Sequence, residues 1–521
     1  MTTRHHFSSR LAMMLTMLGM AVGTGNIWRF PRIASQNGGG EFLVTWIVFL
    51  FTWSIPLILV EFGMGRLTRV GPIGAFVKTM GPKWAWMGAF IAWVATAIMF
   101  YYAVVCGWTL HYVWAALSGA VPGTEPGTYW QGYATSGWPL LAHGISIGLA
   151  TYVVAHGVRG IERVVSILMP ILIVLVIVLT VRAVTLPGAE AGLAYLFGVD
   201  WERLGDATIW LHALTQNAWD TGAGWGLILV YAAYLREKED TALNGFILPM
   251  ANNTISLLAG MMVMSTVFAV VPQLVASLET NPDALAAYPQ LAEAVRSGAA
   301  VNSDLLQRTI FGAGNEGITF IWMPQLFARV PFGQAFMVLF FLALFFAAFT
   351  SLVSMVELAT RVLSDAGVDR PRAVRLVGVL GFILGVPSAL SLDVLHNQDW
   401  VWGVGLMVSG LFFAIAVVRY GVRRFREEQL NHESSDIRIG RWWDLVVGVL
   451  VPVQAVALIV WWLWQVWGPG ALDPFGVENV GTVLFQWGAI LLVLLIANRY
   501  LARIRPTEPV AGQERMPAAV P

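Results

Sequence analysis

The 521-residue sequence predicts an all-α polytopic membrane protein of twelve transmembrane helices, the first ten forming a 5+5 inverted repeat in which helices 1 and 6 are broken. Three observations predict it. Apolar residues make up 57% of the chain and charged residues only 12%, a balance that no ordinary soluble core requires. Polar, glycine-rich stretches interrupt two of the apolar runs at their centres, in corresponding positions of the two halves. Arginine and lysine gather in alternate loops. The net charge of zero does not imply nucleic acid as a partner, and the single cysteine, Cys106, excludes an intramolecular disulfide framework.

Taken in order, residues 1–9 are a polar, basic segment, and the apolar run from residue 10 lacks a small-residue cleavage site, so it reads as a retained first span. Apolar runs of spanning length follow at 10–33, 41–66, 85–117, 138–155 and 163–184, making a first five-helix unit over 10–184. After an external loop at 185–207, the second unit (208–420) carries spans at 208–235, 242–273, 334–363, 372–390 and 399–420. Its external segment 274–333 contains an Ala/Leu-rich helical stretch and the glycine-bearing 311–317, as expected of a structured lid. A cytoplasmic loop at 421–441, two spans within 442–503 and a Pro- and Ala-rich disordered tail at 504–521 complete the chain. The loops 118–137, 390–398 and 468–478 hold no Lys or Arg, whereas basic residues crowd the alternate ones, so both termini are expected in the cytoplasm of a cell whose inner (plasma) membrane the chain crosses.

The first interruption, residues 19–31, reads Gly-Met-Ala-Val-Gly-Thr-Gly-Asn-Ile-Trp-Arg-Phe-Pro. A helix broken in hydrocarbon bares backbone groups at several kcal/mol each, so the break must be satisfied by protein, water or a ligand. Carbonyls ending the first half-helix suit a cation, and N–H groups opening the second suit a carboxylate. Close packing of small residues is the structural alternative, but Asn26 and Arg29 inside a span point to a binding pathway.

The second interruption, residues 216–226, reads Gln-Asn-Ala-Trp-Asp-Thr-Gly-Ala-Gly-Trp-Gly. Two breaks at matching places are the mark of a secondary transporter whose site lies between them. Asp220, a carboxylate at mid-span costing about 2.5 to 3.5 kcal/mol, demands a cation, a hydrogen-bond network or a proton. Thr350 and Ser351 in the eighth span, Asn252 and Ser256 one turn apart in the seventh, and Tyr101 and Tyr102 in the third add further polar groups.

These residues together resemble the neurotransmitter:sodium symporter family and its prokaryotic members, over all twelve spans. Gly25-Asn-Ile-Trp-Arg-Phe-Pro31 with Asn37-Gly-Gly-Gly40, Gly160-Ile-Glu162, Gly224-Trp-Gly226 and Thr350-Ser351 agree in order and spacing. The resemblance implies a leucine-transporter-like fold and sodium-coupled import of a small zwitterion, most simply a neutral amino acid, by alternating access. It implies two Na+ sites. The one nearer the eighth span would use carbonyls of Gly19, Val22 and Ala347 with the hydroxyls of Thr350 and Ser351. The other would use the Ala21 carbonyl, Asn26, Asp220 and Asn252, oxygen ligands of the kind a hard cation takes. The substrate carboxylate would lie near Thr24, Gly25 and the Tyr102 hydroxyl, its amine near carbonyls of Ala21 and Trp219. Its side chain would face Met20, Ile98, Gly222, Trp225, Ser351 and Met355.

The departures matter as much. Monoamine members resemble one another in carrying an aspartate where this chain has Gly23, so glycine here favours a substrate that brings its own carboxylate. The anion site of chloride-dependent relatives corresponds to Trp46, Gln216, Asp220, Ser256 and Asn252. A serine has become Asp220, so no chloride is expected, and Asp220 borders the substrate as well as sodium. The same carboxylate is a candidate to carry a proton outward. Cys106 is assigned packing only. Arg29 is expected to pair with Asp399 at the start of the tenth span as the outer gate, with Tyr102 and Trp219 beneath. Arg4 is expected to pair with Asp365 near Tyr234 as the inner one. No catalytic residues are assigned: no metal-ligand spacing or nucleophile elbow argues for an enzyme. A binding-only sensor, a channel, or a symporter of another organic acid or amine are the alternatives; the bilayer is the environment, and a homodimer is compatible with it.

Overall fold

A computed structural model describes residues 7–236, 238–281, 285, 288–433 and 435–504, which fold into a helical bundle without strands. Helix α1 (Arg10–Ala21) is capped by the Ser9 hydroxyl, which accepts from the Ala12 N–H. After Val22, Gly23 and Thr24 a π-helical turn (Gly25–Arg29) leads into α2 (Phe30–Gln36), bent 57° from α1. Helices α3 (Gly40–Thr68), α4 (Pro82–Ser118), α5 (Trp138–Ala155) and α6 (Gly157–Val184) complete the first unit. In the second, α7 (Ala207–Asp220) and α8 (Leu227–Ala232) flank the other interruption. Helices α9 (Thr241–Thr280), α10 (Gly333–Asp365), α11 (Arg370–Leu390) and α12 (Leu392–Tyr420) follow, then α13 (Trp442–Gln465) and α14 (Val480–Leu501).

Among the described residues ten helices are individually long and apolar enough to cross a membrane, and α1 with α2 makes an eleventh as a bent pair; the expected sixth span is the short helices α7 and α8, which are not counted with these. Several boundaries differ from expectation. Helix α9 runs through Pro272 to Thr280, where Leu274 and Leu278, one turn apart, are buried. Helix α12 starts at Leu392, capped by Ser391, so Asp399 sits two turns inside it and not at its start. Helix α6 starts at Gly157, earlier than the expected 163. Of the expected disordered tail, 505–521 lie outside the described residues, as does Arg4.

Large aromatic side chains such as Trp53, Trp108, Tyr112 and Tyr231 fill the interior, while Val453 and Val460 of α13 and Leu492 and Ile496 of α14 are exposed, as suits a hydrocarbon environment. The tripeptide 38–40 shows why glycine is needed at an elbow. Gly38 and Gly39 have φ of 88° and 68°, and Cβ atoms at Gly39 and Gly40 would strike the backbone carbonyls of Tyr195 and Gly198. The helix Ala189–Phe197 is thereby docked on the α2–α3 elbow, where the Tyr195 hydroxyl also donates to the Ser35 carbonyl at 2.5 Å.

Candidate functional site between the broken helices

A cavity of about 450 Å3 runs from the two interruptions outward to Glu316 and Glu478. Met20, Ala21, Thr24, Gly25, Tyr102, Trp219, Asp220, Gly222, Trp225, Ser351 and Met355 all contribute to its wall. Ile98 does not. It lies one turn before Tyr102 on α4 and is fully buried.

At the α1 break the chain turns its backbone toward side chains on neighbouring helices. The Ser351 hydroxyl stands 3.4, 3.2 and 3.2 Å from the carbonyl oxygens of Gly19, Met20 and Val22. Thr350, one residue earlier on α10, donates to the carbonyls of Phe346 (2.9 Å) and Ala347 (3.2 Å). Five carbonyls and two hydroxyls are thus gathered without a charged group, a set suited to a small hard cation. The Tyr102 hydroxyl lies 3.2 Å from the Thr24 N–H and 3.4 Å from its hydroxyl. A Cβ at Gly23 would come within 2.9 Å of that phenol oxygen and 3.1 Å of the Ser351 hydroxyl, so a larger residue there would force both aside.

Around Asp220 a second polar cluster forms. Asn26 accepts from the Gly23 N–H (2.7 Å) and donates to Asn252 (3.0 Å) and Ser256 (2.8 Å). Ser256 and Gln216 each donate to Asp220 Oδ2 at 3.1 Å, while Asp220 Oδ1 and Gln216 Oε1 are buried without partners. Two buried acceptors left over beside Asn26 and Asn252 ask for a cation or a proton.

A match to the family model described as the Sodium:neurotransmitter symporter family spans residues 4–136 and 134–504. The chain belongs to this family. An uncharacterised sodium-dependent transporter of Methanocaldococcus jannaschii is 28% identical over 88% of this chain and 90% of its own, and one of Bacillus subtilis 29% over 75% and 80%. The crystal structure of MhsT in complex with L-phenylalanine superposes with a TM-score of 0.72 at 26% identity, over 88% of this chain and 99% of that one. The protein is therefore a multi-pass membrane symporter of the sodium-coupled type with a leucine-transporter-like fold.

In this symporter the outer gate residues do not meet as expected. Arg29 and Asp399 both line the cavity, yet no ion pair joins them among the described residues; one Arg29 guanidinium nitrogen is buried without a hydrogen-bond partner, and the guanidinium lies over the Trp219 ring at 5.1 Å. On the opposite side, where Arg4 lies outside the described residues, Asp365 pairs with Arg361 at 2.9 Å on its own helix and accepts from the Gly71 N–H at 2.6 Å. Tyr234 donates to Glu357 (2.8 Å), which Arg370 also grips at 2.6 Å, and Phe7 packs against Tyr231. The cavity is thus open toward the lid and sealed below.

Two residues of the symporter escaped the sequence reading. Glu61, fully buried on α3, accepts the N–H groups of Gly224 (2.7 Å) and Leu229 (3.1 Å), so it satisfies the backbone bared at the second break. A carboxylate in the middle of the second span was its signal. Gly403 on α12 carries the Trp219 ring against its Cα, where any Cβ would collide; nothing in the sequence singles it out from other membrane glycines.

Proposed function

We propose that this symporter imports a neutral amino acid with two sodium ions, independently of chloride, by alternating access across the inner membrane with both termini cytoplasmic. The observation that carries the reading is the corner at Gly23, where a Cβ would meet the Tyr102 hydroxyl at 2.9 Å and the Ser351 hydroxyl at 3.1 Å, so that an aspartate there would displace both. Beside it, the Tyr102 hydroxyl and the N–H end of the second half-helix are poised to receive a carboxylate, and no protein carboxylate occupies that corner. The substrate must supply it. Its amine then faces the carbonyl ends of α1 and α7, and its side chain lies among Met20, Gly222, Trp225 and Met355. That MhsT binds L-phenylalanine supports an apolar amino acid of similar class.

Sodium would bind first at the oxygens around Ser351 and Thr350 and at those of Asn26, Asn252 and Asp220, ordering the broken helices. Each inward charge contributes about 2.3 kcal/mol per 100 mV. Asp220, held by Gln216 and Ser256, supplies the fixed negative charge that makes an external anion unnecessary, and it is the group that returns outward protonated. Arg29 and Asp399 would close together over Tyr102 and Trp219; Arg4 and Asp365 would part on the inner side. The test is uptake of labelled amino acids into proteoliposomes under imposed sodium gradients, with chloride or gluconate and at varied internal pH. Sodium-driven accumulation that survives gluconate supports the reading, and uptake lost in gluconate removes Asp220 from its role.

A further inference from the structure

A second cavity, open on one side, lies away from the transport site, where the end of α4 meets the short helix Pro126–Ala134 and the start of α5. It measures about 680 Å3, within the range of roughly 300–1,000 Å3 usual for small-molecule sites. Leu110, His111 and Trp114 of α4, Tyr129 and Tyr133 of the short helix and Trp138 of α5 wall it, and no acidic or basic Asp, Glu, Lys or Arg lines it. His111 stacks on Tyr133 with ring centroids 4.0 Å apart and shares a 2.9 Å hydrogen bond with the Tyr129 hydroxyl. Tyr133 is 4% exposed, and its hydroxyl has no hydrogen-bond partner. A buried phenol left unsatisfied beside an open space is costly unless something enters that space.

The groove is continuous with the membrane-facing surface. Trp114, Trp138, Leu141 and Ile145, all in its wall, are 44–58% exposed and belong to the hydrocarbon-facing belt. Tryptophan and tyrosine mark the interfacial level, where an amphiphile has its polar end beside the rings and its chain beneath. An apolar wall with a few hydroxyls at one end and no fixed charge matches an acyl chain with its ester oxygens. We propose that this groove holds one phospholipid of the lid-side leaflet and that its occupancy steadies the lid. The short helix connects the two. One face of it carries Tyr129 and Tyr133 into the groove, and the other stacks Trp130 on Phe320 of the lid at 4.9 Å and 5°. Tyr112, next to His111 on α4, packs on the same Phe320 at 4.6 Å.

Gly132 supplies the test, because a Cβ added there meets nothing within 4 Å and a longer side chain grows into the groove without moving the backbone. The full chain would be placed in nanodiscs of phosphatidylethanolamine and phosphatidylglycerol with a trace of phosphatidylethanolamine bearing a diazirine on its acyl chain. After irradiation, labelled peptides are mapped by mass spectrometry. Labelling should concentrate at residues 110–114 and 128–145, fall to the belt average in Gly132→Leu, and drop about fivefold in Tyr133→Phe, the effect of one lost hydrogen bond. Amide exchange at 317–322 should be slower with phospholipid than in detergent in the wild type, and unchanged by phospholipid in Gly132→Leu. Labelling spread evenly round the belt, labelling of Gly132→Leu equal to wild type, or exchange at 317–322 indifferent to phospholipid would overturn the proposal. None of these readouts depends on which substrate is transported.

Discussion

At the scale of single residues, the site rests on a few atoms whose removal has a defined effect. Tyr102→Phe deletes the phenol oxygen that sits 3.2 Å from the Thr24 N–H, and a hydrogen bond to a charged group is worth about 1.5–3 kcal/mol. Substrate binding measured by scintillation proximity should weaken roughly 10- to 100-fold, with sodium binding nearly unchanged. Asp220→Ser removes the fixed charge while keeping a hydroxyl near Gln216 and Ser256. Uptake by this variant should become chloride-dependent, and uptake indifferent to gluconate would count against the role given to Asp220. Both residues were legible in the sequence, because a carboxylate and a phenol in mid-span are conspicuous against hydrocarbon. Gly403 was not. Its meaning is a contact with Trp219, more than 180 positions away in the chain, and only the packed structure brings the two together. The same is true of the Arg29–Asp399 pair, whose members are placed by the resemblance but whose separation only the structure shows.

At the scale of elements, the breaks were readable because glycine, asparagine and proline interrupt apolar runs, whereas the ends of the helices were not. Helix α9 outruns its apolar stretch and keeps Leu274 and Leu278 buried, and α12 begins early because Ser391 caps a polar first turn. Glu61 ties α3 to the second break through two N–H groups. In Glu61→Gln only one side-chain oxygen remains to accept them, so the fold should lose about 1–3 kcal/mol, read as a lower Tm in detergent, with uptake reduced as well. The lid is pinned by Asn315, which accepts from Arg32 at 2.8 Å, and by Glu316 facing His396 at 3.4 Å. Burial alone would raise the Glu316 carboxyl, but the His396 hydrogen bond, its own backbone and Arg32 together hold it below its ordinary value. A depressed carboxylate contributes stability that is present above its unfolded pKa, about 4.3, and lost as pH falls through the lower folded value. The protection of amides at 314–322, relative to their intrinsic exchange rates, should therefore fall below about pH 4 and be less pH-sensitive in Glu316→Gln.

At the scale of the whole molecule, one continuous cavity opens toward the lid while Phe7, Tyr231, Tyr234 and Glu357 close the other side. Alternating access makes a direct prediction. Cys106 is the only cysteine and is buried, so the wild type should resist a membrane-impermeant maleimide, and Val404→Cys in the cavity wall should react from the lid side. Sodium with substrate should slow that reaction at least tenfold; equal rates would argue for a fixed pore. One feature of the site also bears on how such a protein changes over generations. The carbonyls of Gly19, Met20 and Val22 that converge on Ser351 belong to the main chain, and no codon change deletes a carbonyl. Under the proposed function, inherited variation reshapes the walls at Gly23, Gly222 or Trp225 and so shifts which nutrient is taken up, while the oxygens at the break stay in place. On that reading diet can drift while the seat of the driving ion is inherited with the backbone.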